Sequence, residues 1–273
     1  MNIAIIGCGY LGRALANTLV KKNNFVTATT RNPSSIKKIC DITQKTKVVD
    51  SSDENEILLL LKENDVIIVT IFSEDINEYE KAYLEASANI KKAAKEIKEK
   101  KRIIFISQSI VYGNHSGKWV DEDSTLNATD DYPKKIIEAE KTYLSLKGYD
   151  FDITILRLAR VYGPHRELEK LAKIMLNNSL KGDSSFYTNM VHLDDAVNTI
   201  NFVLDHNLYG IFNVVDDDHI TRKELLDKIC KKLNISKISW DDKKNIFDDV
   251  NKRVSNYRIK ETGFTFKYPF KEI

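Results

Sequence analysis

The sequence has little cysteine, no long apolar run and almost no net charge. Its three cysteines, Cys8, Cys40 and Cys230, have neither the density of a disulfide framework nor the spacing of metal ligands. No metal site is therefore expected, and a reduced, cytoplasmic setting is predicted. No apolar stretch is long enough to cross a bilayer. The 42 basic and 40 acidic residues nearly cancel, which gives no reason to expect nucleic acid or a membrane as the main partner.

Internal repeats, low-complexity tracts and obvious flexible linkers are also missing. The 273 residues suffice for one large domain or for a domain with a smaller companion. Short apolar runs alternate with helical patterns along most of the chain. Each apolar run is continuous, as in strands that are buried on both faces. This pattern predicts an α/β fold with a doubly wound parallel sheet.

The first twelve residues, MNIAIIGCGYLG, contain the strongest motif of the chain. A short apolar strand leads into G-x-G-x-x-G, and an alanine- and leucine-rich helix follows. Gly7 allows a tight turn, Gly9 lets the backbone approach a pyrophosphate, and Gly12 lets the helix pack closely on the strand. The helix N-terminus offers N–H groups to phosphates. A glycine turn without a ligand is the alternative. The candidate cofactor-binding residues here are Gly7, Gly9, Tyr10, Leu11 and Gly12.

The second predicted strand, residues 25–29, has no acidic residue at its end, where one would bind the ribose 2′-hydroxyl of NAD. Thr30 and Arg31 stand there instead, and a guanidinium suits a 2′-phosphate. NADP is therefore predicted as the cofactor, with NAD as the alternative, and a merely solvated arginine would leave the choice open. Asp50, after the third predicted strand, is a candidate partner for the adenine amino group.

Several later segments, read with the opening, resemble the extended short-chain dehydrogenase/reductases, in particular the atypical branch described as NAD(P)-dependent epimerase/dehydratase-like. The segments are IIGCGYLGRALA, ISQSIVYGN, TILRLARVYGP, NMVHLDDAV, FNVVDDDHITRKEL and KRVSNYRIKETGF. The resemblance implies a Rossmann-like domain that binds NAD(P), at 1–160 and 189–216. It also implies a small C-terminal subdomain over the substrate, at 161–188 and 217–273.

The resemblance also implies a substrate, often a nucleotide sugar, and a set of residues that face it. The VYG, VYGP and HLDD segments look like elements of the family's substrate pocket. The candidate substrate-binding residues are Tyr112, Arg160, Tyr162, Asn189 and His192. His192 has a second interpretation, as a structural hydrogen-bonding group before a helix. An oxidoreductase or epimerase/dehydratase that acts on a nucleotide sugar or a similar hydroxylated ligand is the function we expect.

The sequence departs from this family at two of its three catalytic positions. Gln108 stands where the family has Ser or Thr, four residues before the tyrosine of VYG. Ile136 stands where the lysine of Y-x-x-x-K belongs, four residues after Tyr132. Glu140 matches a common family glutamate, which supports this register. The departure matters because a tyrosine with its ordinary pKa of about 10 needs a nearby cation to transfer protons at neutral pH.

Neighbouring residues can replace the missing groups. Lys135 lies three residues after Tyr132, within reach on one helix face, and Ser109 can hold a substrate oxygen. Tyr132, Ser109 and Lys135 are therefore the predicted catalytic residues. Gln108 and Ile136 favour the alternative function, a non-catalytic NADP-binding sensor or scaffold. The sequence names neither the substrate nor the direction of the reaction.

Two predicted helices carry apolar stripes that commonly form a dimer interface in the resembled family. One helix spans 76–98 and the other spans 133–146. Their stripe residues are Tyr79, Tyr83, Ala86, Ile90, Ala93, Ile97, Ile136, Ile137, Tyr143 and Leu144. A two-fold homodimer is expected on this ground. Packing of both stripes against the sheet of one chain is the alternative.

Overall fold

The computed structural model of the chain describes residues 1–73, 78–170, 180–181, 183–241 and 250–271. The strands are β1 (Asn2–Ile6), β2 (Phe25–Thr30), β3 (Lys45–Val48), β4 (Val66–Val69), β5 (Lys101–Gln108), β6 (Trp119–Val120), β7 (Phe151–Leu158), β8 (Arg160–Tyr162), β9 (Leu180–Lys181), β10 (Met190–His192), β11 (Gly210–Val214), β12 (Trp240–Asp241) and β13 (Arg253–Val254). The α-helices are α1 (Tyr10–Lys21), α2 (Glu54–Glu63), α3 (Ala86–Ala94), α4 (Asp131–Leu144), α5 (Leu193–Asp205), α6 (Arg222–Leu233) and α7 (Tyr257–Glu261).

Seven strands form the central sheet in the order β11-β7-β5-β4-β1-β2-β3. Strand β1 lies in the middle, where Ile3 pairs in parallel with Val26 of β2 on one side and with Val66 of β4 on the other. This confirms the predicted doubly wound parallel fold. The chain leaves β1 toward one edge and returns to β4 on its other side. In such sheets ligands bind at the carboxyl ends of the strands, where this reversal occurs.

Helices lie in the connections between successive parallel strands of the sheet, in agreement with the predicted alternation of strands and helices. Helix α3 packs between α2 and α4. Helix α1 is joined to the later part of α5 by a hydrogen bond from Asn201 Nδ2 to Thr18 Oγ1 (3.0 Å) and by an exposed ion pair between Lys22 and Asp205 (2.6 Å). Two groups of helices thus bury the continuous apolar strands that the sequence predicted.

A buried ion pair ties α4 to the sheet. The Glu140 carboxylate of α4 accepts two hydrogen bonds from the Arg157 guanidinium of β7, at 3.0 and 2.7 Å. The hydroxyl of Ser107, at the end of β5, donates to the same carboxylate. All three residues are buried. The glutamate that fixed the register in the sequence therefore holds the helix that carries Tyr132 against two strands.

The chain divides into two compact units. The first contains Met1–Ser107, Asp131–Arg157 and Val197–Ile211, and the second contains Gln108–Asp130, Leu158–Ala196 and Phe212–Ile273. The second unit has its own apolar core, which includes Tyr162, Leu168, Met190, Leu225, Leu226, Ile229, Cys230 and Ile238. A capping box of Thr221 and Glu224 begins its helix α6. The domain boundaries predicted from the sequence run differently and remain a prediction.

The helix predicted over 76–98 differs in its details. Its first two residues lie outside the described part of the chain. A π-helical turn at Glu80–Glu85 leads into α3, which ends at Ala94. The sequence also predicts a helix over 168–180, of which residues 171–179 lie outside the described part of the chain; Leu180 belongs to β9. A search of the described helices finds none whose length and apolarity would let it span a membrane.

Both stripes proposed for a dimer are largely buried within one chain. Tyr83, Ala86 and Ile90 on the first helix are buried, as are Ile136 and Tyr143 on α4. Packing inside the chain is therefore sufficient to explain these apolar residues. The two-fold homodimer remains a prediction, for which light scattering of the full chain is the direct measurement.

The Glu140–Arg157 pair predicts a large loss of stability when one partner is removed. Glu140→Gln leaves the guanidinium buried without its counterion, and we expect the free energy of unfolding to fall by about 3–5 kcal/mol. Lys22→Gln, which breaks an exposed ion pair in the same unit, should change it by less than about 1 kcal/mol. Urea denaturation of the two variants measures both effects. Equal losses of unfolding free energy in the two variants would show that the buried pair contributes no more to stability than the exposed pair.

Candidate active site

The glycine turn after β1 is held by the strands on both sides. The N–H of Gly7 donates to Thr29 Oγ1 (3.3 Å), and the N–H of Cys8 donates to the Thr29 carbonyl (2.7 Å) on β2. Thr70, directly after β4, donates its hydroxyl to the carbonyl of Gly7 (2.8 Å). Burial raises the pKa of the Cys8 thiol to about 12, so this side chain is a neutral packing group. The turn is therefore fixed before any ligand arrives.

The three glycines have different surroundings. Gly7 has φ +83°, and a Cβ there would lie 2.9 Å from Ile71. A Cβ on the buried Gly12 would lie 3.0 Å from Thr70 Oγ1. At the exposed Gly9 the nearest atom would be the Gly7 carbonyl oxygen, 3.9 Å away. Gly7 and Gly12 are thus needed by the packing, whereas Gly9 leaves open space beside the turn.

That open space adjoins the N-terminus of α1. Gly9 is the N-cap of this helix, no side chain caps it, and its first turn contains no acidic residue. The first N–H groups of a helix have no partner within the helix and attract anions. Tyr10 and Leu11, the first two residues of α1, are both half-buried. The geometry suits a phosphate of a dinucleotide, as the motif predicted.

The predicted 2′-phosphate ligand, Arg31, is ion-paired. Its guanidinium contacts the carboxylate of Glu78, which comes shortly before the π-helical turn. Both side chains keep considerable exposure. Thr30 is buried at the end of β2, where its Oγ1 accepts a hydrogen bond from the N–H of Asn32 (3.2 Å). A 2′-phosphate would have to compete with Glu78 for Arg31.

The predicted adenine ligand, Asp50, is also occupied. One carboxylate oxygen lies 2.7 Å from Lys81 Nζ, and the other accepts hydrogen bonds from the N–H and hydroxyl of Ser52. The hydrogen bonds from Lys81 and Ser52 outweigh the effect of burial, so the pKa of Asp50 lies below its usual value. Glu78 and Arg31 also influence the pKa of Lys81. These four charged residues form one network on the carboxyl side of β2 and β3.

Tyr132, in the first turn of α4, lies among tyrosines. Its ring is 4.2 Å from the ring of Tyr79 and meets the buried Tyr83 edge-on, at 5.8 Å between centroids. The hydroxyls of Tyr132 and Tyr83 are 3.3 Å apart. Tyr132 remains half-buried. The predicted proton carrier thus has the rings of Tyr79 and Tyr83 for neighbours, which the sequence did not predict.

The cation assigned to Tyr132 has an acidic partner of its own. Lys135 Nζ lies 3.2 Å from the Asp131 carboxylate, one turn earlier on α4. Ile136, at the position of the family lysine, is fully buried. The helix therefore uses that position for packing. Tyr132 and Lys135 share the first turns of one helix, as predicted, and the catalytic role of both remains a prediction.

The other candidate residues lie in the second unit. Ser109 begins a 3₁₀ turn, Ser109–Tyr112, directly after β5, and is buried. Tyr112 is fully buried and donates its hydroxyl to Asn213 Oδ1 (2.6 Å). The N–H of Asn213 in turn donates to the buried carboxylate of Glu122 (2.7 Å). Tyr112 therefore anchors the turn that contains Ser109.

His192 is buried and caps a helix. Its Nδ1 accepts a hydrogen bond from the N–H of Asp194 (3.2 Å) at the start of α5. The ring lies edge-on to the buried Tyr162, at 5.3 Å, and 3.9 Å from the ring of Tyr268. This geometry corresponds to the structural interpretation of His192. Arg160, at the start of β8, is exposed.

Asn189 uses its side chain to hold the start of the segment KRVSNYRIKETGF, in which the sequence predicts no role for Lys252. Its Nδ2 donates to the carbonyl of Lys252 (2.9 Å), and its Oδ1 accepts from the N–H of Val254 (2.8 Å). Lys252 is buried, and its Nζ donates to the carbonyl of Gly113 (3.2 Å), just after the 3₁₀ turn. The signal available in the sequence was a lysine that opens the closing segment KRVSN.

Comparison with known proteins shows which proteins this chain is similar to. The model of the NAD dependent epimerase/dehydratase family matches residues 3–214. An uncharacterized protein of Schizosaccharomyces pombe is 25% identical over 216 residues, covering 64% of this chain and 59% of its own length. Human dTDP-D-glucose 4,6-dehydratase is 26% identical over 188 residues, covering 63% and 53%. The UDP-N-acetyl-alpha-D-glucosaminuronate decarboxylase of Bacillus cytotoxicus is 26% identical over 251 residues, covering 82% and 77%.

Solved structures share the fold along nearly the whole chain. UDP-glucose 4-epimerase of Thermus thermophilus, in complex with NAD, superimposes with a TM-score of 0.82 at 16% identity and covers 99% of this chain and 95% of its own. dTDP-glucose 4,6-dehydratase of Bacillus anthracis, in complex with NAD, gives 0.82 at 19% identity, with 98% and 92% coverage. The resemblance stated from the sequence is confirmed. The chain spans just over half the length of two of the three curated relatives.

The different surroundings of the glycines predict different effects of substitution. Gly12→Val forces a side chain against Thr70 and should lower the free energy of unfolding by about 1–3 kcal/mol. Gly9→Ser should leave it unchanged or raise it slightly, because serine is a favoured N-cap and its Cβ enters open space. Thermal unfolding followed by circular dichroism measures both. Equal destabilisation by the two variants would contradict this difference.

Proposed function

We propose, because the chain belongs to the NAD dependent epimerase/dehydratase family, that it is an NAD(P)-dependent oxidoreductase or epimerase/dehydratase. Its substrate is a nucleotide sugar or a similar hydroxylated ligand. The observation that carries the proposal is the exposed Gly9 at the uncapped start of α1. The relatives named as a dTDP-D-glucose dehydratase and a UDP-sugar decarboxylase support this class of substrate. A cytoplasmic homodimer is part of the proposal.

The residues around the glycine turn fit a dinucleotide. The N–H groups at the start of α1 bind the pyrophosphate, and Gly9 lets it approach because no side chain intervenes. The preference for NADP rests on Arg31, which must exchange Glu78 for the 2′-phosphate. The named structural neighbours that contain a cofactor hold NAD. Asp50 serves the adenine end only if it keeps a free acceptor position beside Lys81 and Ser52.

The chemistry follows from what a nicotinamide supplies when bound, namely a hydride acceptor or donor. Tyr132 transfers the proton that accompanies hydride transfer to or from a substrate carbon. Lys135 stabilises the phenolate form, and Ser109 holds the substrate oxygen. Tyr112, Arg160, Tyr162, Asn189 and His192 build the substrate side, with Asn189 and His192 acting through the backbone segments that they hold.

The alternative function is a non-catalytic NADP-binding sensor or scaffold. Its best support is Ile136, which is buried in place of the family lysine. The family and the two relatives that carry enzyme names favour an enzyme instead. The two functions differ in one measurable respect, since only an enzyme turns over a nucleotide sugar.

Cofactor preference is expected to depend on the Arg31–Glu78 pair. Glu78→Gln frees the guanidinium and should raise the affinity for NADPH about 5-fold, with little change for NADH. Arg31→Asp should lower or reverse any preference for NADPH. Calorimetric titration with both cofactors measures the ratio, and Glu54→Gln, an exposed acid paired with Lys92, is the matched control. An unchanged ratio in Glu78→Gln would contradict the role of the pair.

Proton transfer is expected to depend on Tyr132 and its cation. Tyr132→Phe should reduce turnover at least about 100-fold and leave NADH affinity nearly intact. Lys135→Met should move the rate profile to higher pH, because the phenolate loses its stabilising charge. Nicotinamide absorbance during a screen of nucleotide sugars measures the rates.

Lys134→Met, which removes an exposed neighbouring lysine, is the control for these variants. Ile136→Lys restores the family residue, and the sequence alone predicts that it raises the rate. Ile136 is fully buried, however, so the desolvation of a lysine there opposes that gain. Full activity in Tyr132→Phe would exclude the tyrosine from proton transfer. Tight NADPH binding without turnover of any nucleotide sugar would favour the sensor.

A further inference from the structure

The hydroxyl of Tyr83 lies beside the predicted proton carrier, and the preceding roles do not use it. Its oxygen is 3.3 Å from the hydroxyl oxygen of Tyr132, and either hydroxyl can be the donor. This distance is long for two un-ionised hydroxyls, which usually lie about 2.7–2.8 Å apart. A hydrogen bond to an ionised oxygen is shorter and about twice as strong. The contact is therefore one that strengthens when one of the two tyrosines loses its proton.

Tyr83 belongs to the π-helical turn Glu80–Glu85, which packs against α4. Single π turns inside helices are rare and are frequently found at functional sites. Tyr79, directly before the turn, has its ring 4.2 Å from the ring of Tyr132, and the ring of Tyr83 meets Tyr132 edge-on. Two aromatic rings of one segment therefore hold the Tyr132 ring, and the second of them brings its hydroxyl to the Tyr132 hydroxyl.

Burial indicates which of the two tyrosines carries the negative charge. Desolvation disfavours a phenolate, as Tyr143 shows on the same helix: its ring is stacked on Phe105 and burial raises its pKa. Tyr83 is 2% exposed, close to the 1% of Tyr143, whereas Tyr132 is half-buried. Ionisation therefore favours Tyr132, and the more buried Tyr83 keeps its proton and becomes the donor.

The position of the family lysine cannot supply this stabilisation, because Ile136 occupies it and is fully buried. Lys135 lies 3.2 Å from the Asp131 carboxylate, whose charge offsets part of its effect on Tyr132. A hydrogen bond to the charged form favours ionisation as an opposite charge does. The hydroxyl of Tyr83 is placed to make such a bond.

We propose that Tyr83 is a positioning residue for proton transfer, which donates a hydrogen bond to the Tyr132 phenolate and, alongside Lys135, compensates for the missing family lysine. The proposal rests on the proposed function, in which Tyr132 transfers the proton. When the substrate is oxidised, its O–H bond breaks and the Tyr132 O–H bond forms, while the hydride passes to the oxidised nicotinamide. Tyr83 donates to the Tyr132 oxygen before this step and keeps its own proton throughout.

Other charged and titratable groups must be separated from Tyr83 in a pH experiment. Those on the first turns of α4 and on the segment packed against them are Asp131, Lys134, Lys135, Glu138, Glu78, Tyr79, Glu80, Lys81 and Glu85. Two of them, Lys81 and Lys135, have carboxylate partners of their own. Tyr83→Phe removes one oxygen atom and leaves all of these groups in place. The difference between the unaltered chain and this variant therefore isolates the hydroxyl.

The test is an NMR pH titration of the full chain with ¹³C-labelled tyrosine rings. Among the 12 tyrosines, the resonance that is missing from Tyr132→Phe identifies Tyr132. In Tyr83→Phe the pKa of Tyr132 should rise by about 1–2, which corresponds to the loss of a hydrogen bond to a charged group. Tyr143→Phe, which removes a buried hydroxyl near the other end of α4, is the matched control and should leave that pKa unchanged.

Kinetics with a nucleotide sugar that the chain turns over give a second readout. Tyr83→Phe should lower kcat near pH 7 by about 10- to 100-fold and move the rise of kcat to higher pH, so that its rate approaches that of the unaltered chain in alkali. The KM of the substrate and the affinity for NADH should change little. A merely structural role would lower the melting temperature and reduce the rate by the same factor at every pH.

The outcomes separate this proposal from the proposed function. An unchanged pKa of Tyr132 in Tyr83→Phe overturns the role of Tyr83, even if Tyr132→Phe abolishes turnover. An equal rise of that pKa in Tyr83→Phe and Tyr143→Phe also overturns it, because the effect would not depend on the contact between the two hydroxyls. A rise confined to Tyr83→Phe, without turnover of any nucleotide sugar, supports the hydrogen bond to the phenolate and contradicts the proposed function.

Discussion

The close approach of α1 to the end of β1 is the constraint on which the rest of the structure depends. Gly7 and Gly12 have no room for a side chain, because Ile71 and Thr70 already occupy the space where a Cβ would go. The approach places the N-terminus of α1 at the carboxyl edge of the sheet, beside the point where the strand order reverses. The positive end of a helix dipole therefore faces the edge where this fold binds ligands.

Around that edge, each charged candidate in the first unit has an ion-pair partner outside the candidate set. Arg31 contacts Glu78, Asp50 contacts Lys81, and Lys135 contacts Asp131. Such exposed or half-exposed pairs are weak, typically below about 1 kcal/mol, so a ligand can exchange with either partner. Lys252 is a different case, since it is buried and donates to the carbonyl of Gly113. Paired surface charges of this kind can adjust selectivity.

Helix α4 contains the family glutamate that holds it to the sheet, but it departs from the family at the position of the catalytic lysine. Glu140 remains because the buried Arg157 needs a counterion and Ser107 donates to the same carboxylate. Ile136, where the resembled family has a lysine, is fully buried. Tyr132 lies among phenols, whose hydroxyls can share a proton but provide no positive charge. Folding therefore constrains the turn of α4 that contains Glu140 more strongly than catalysis constrains the turn that contains Tyr132.

The sequence by itself determined the parallel sheet and the glycine turn, because hydrophobic period and glycine geometry are local properties of the chain. The resemblance to the family also singled out Glu140, through its match to a common family glutamate. Tertiary structure alone decided that Glu78 pairs with Arg31, that Tyr83 meets Tyr132, and that Lys252 is buried at Gly113. These partners are 47, 49 and 139 residues apart. Their contacts depend on how the elements pack, and no local pattern in the sequence encodes that.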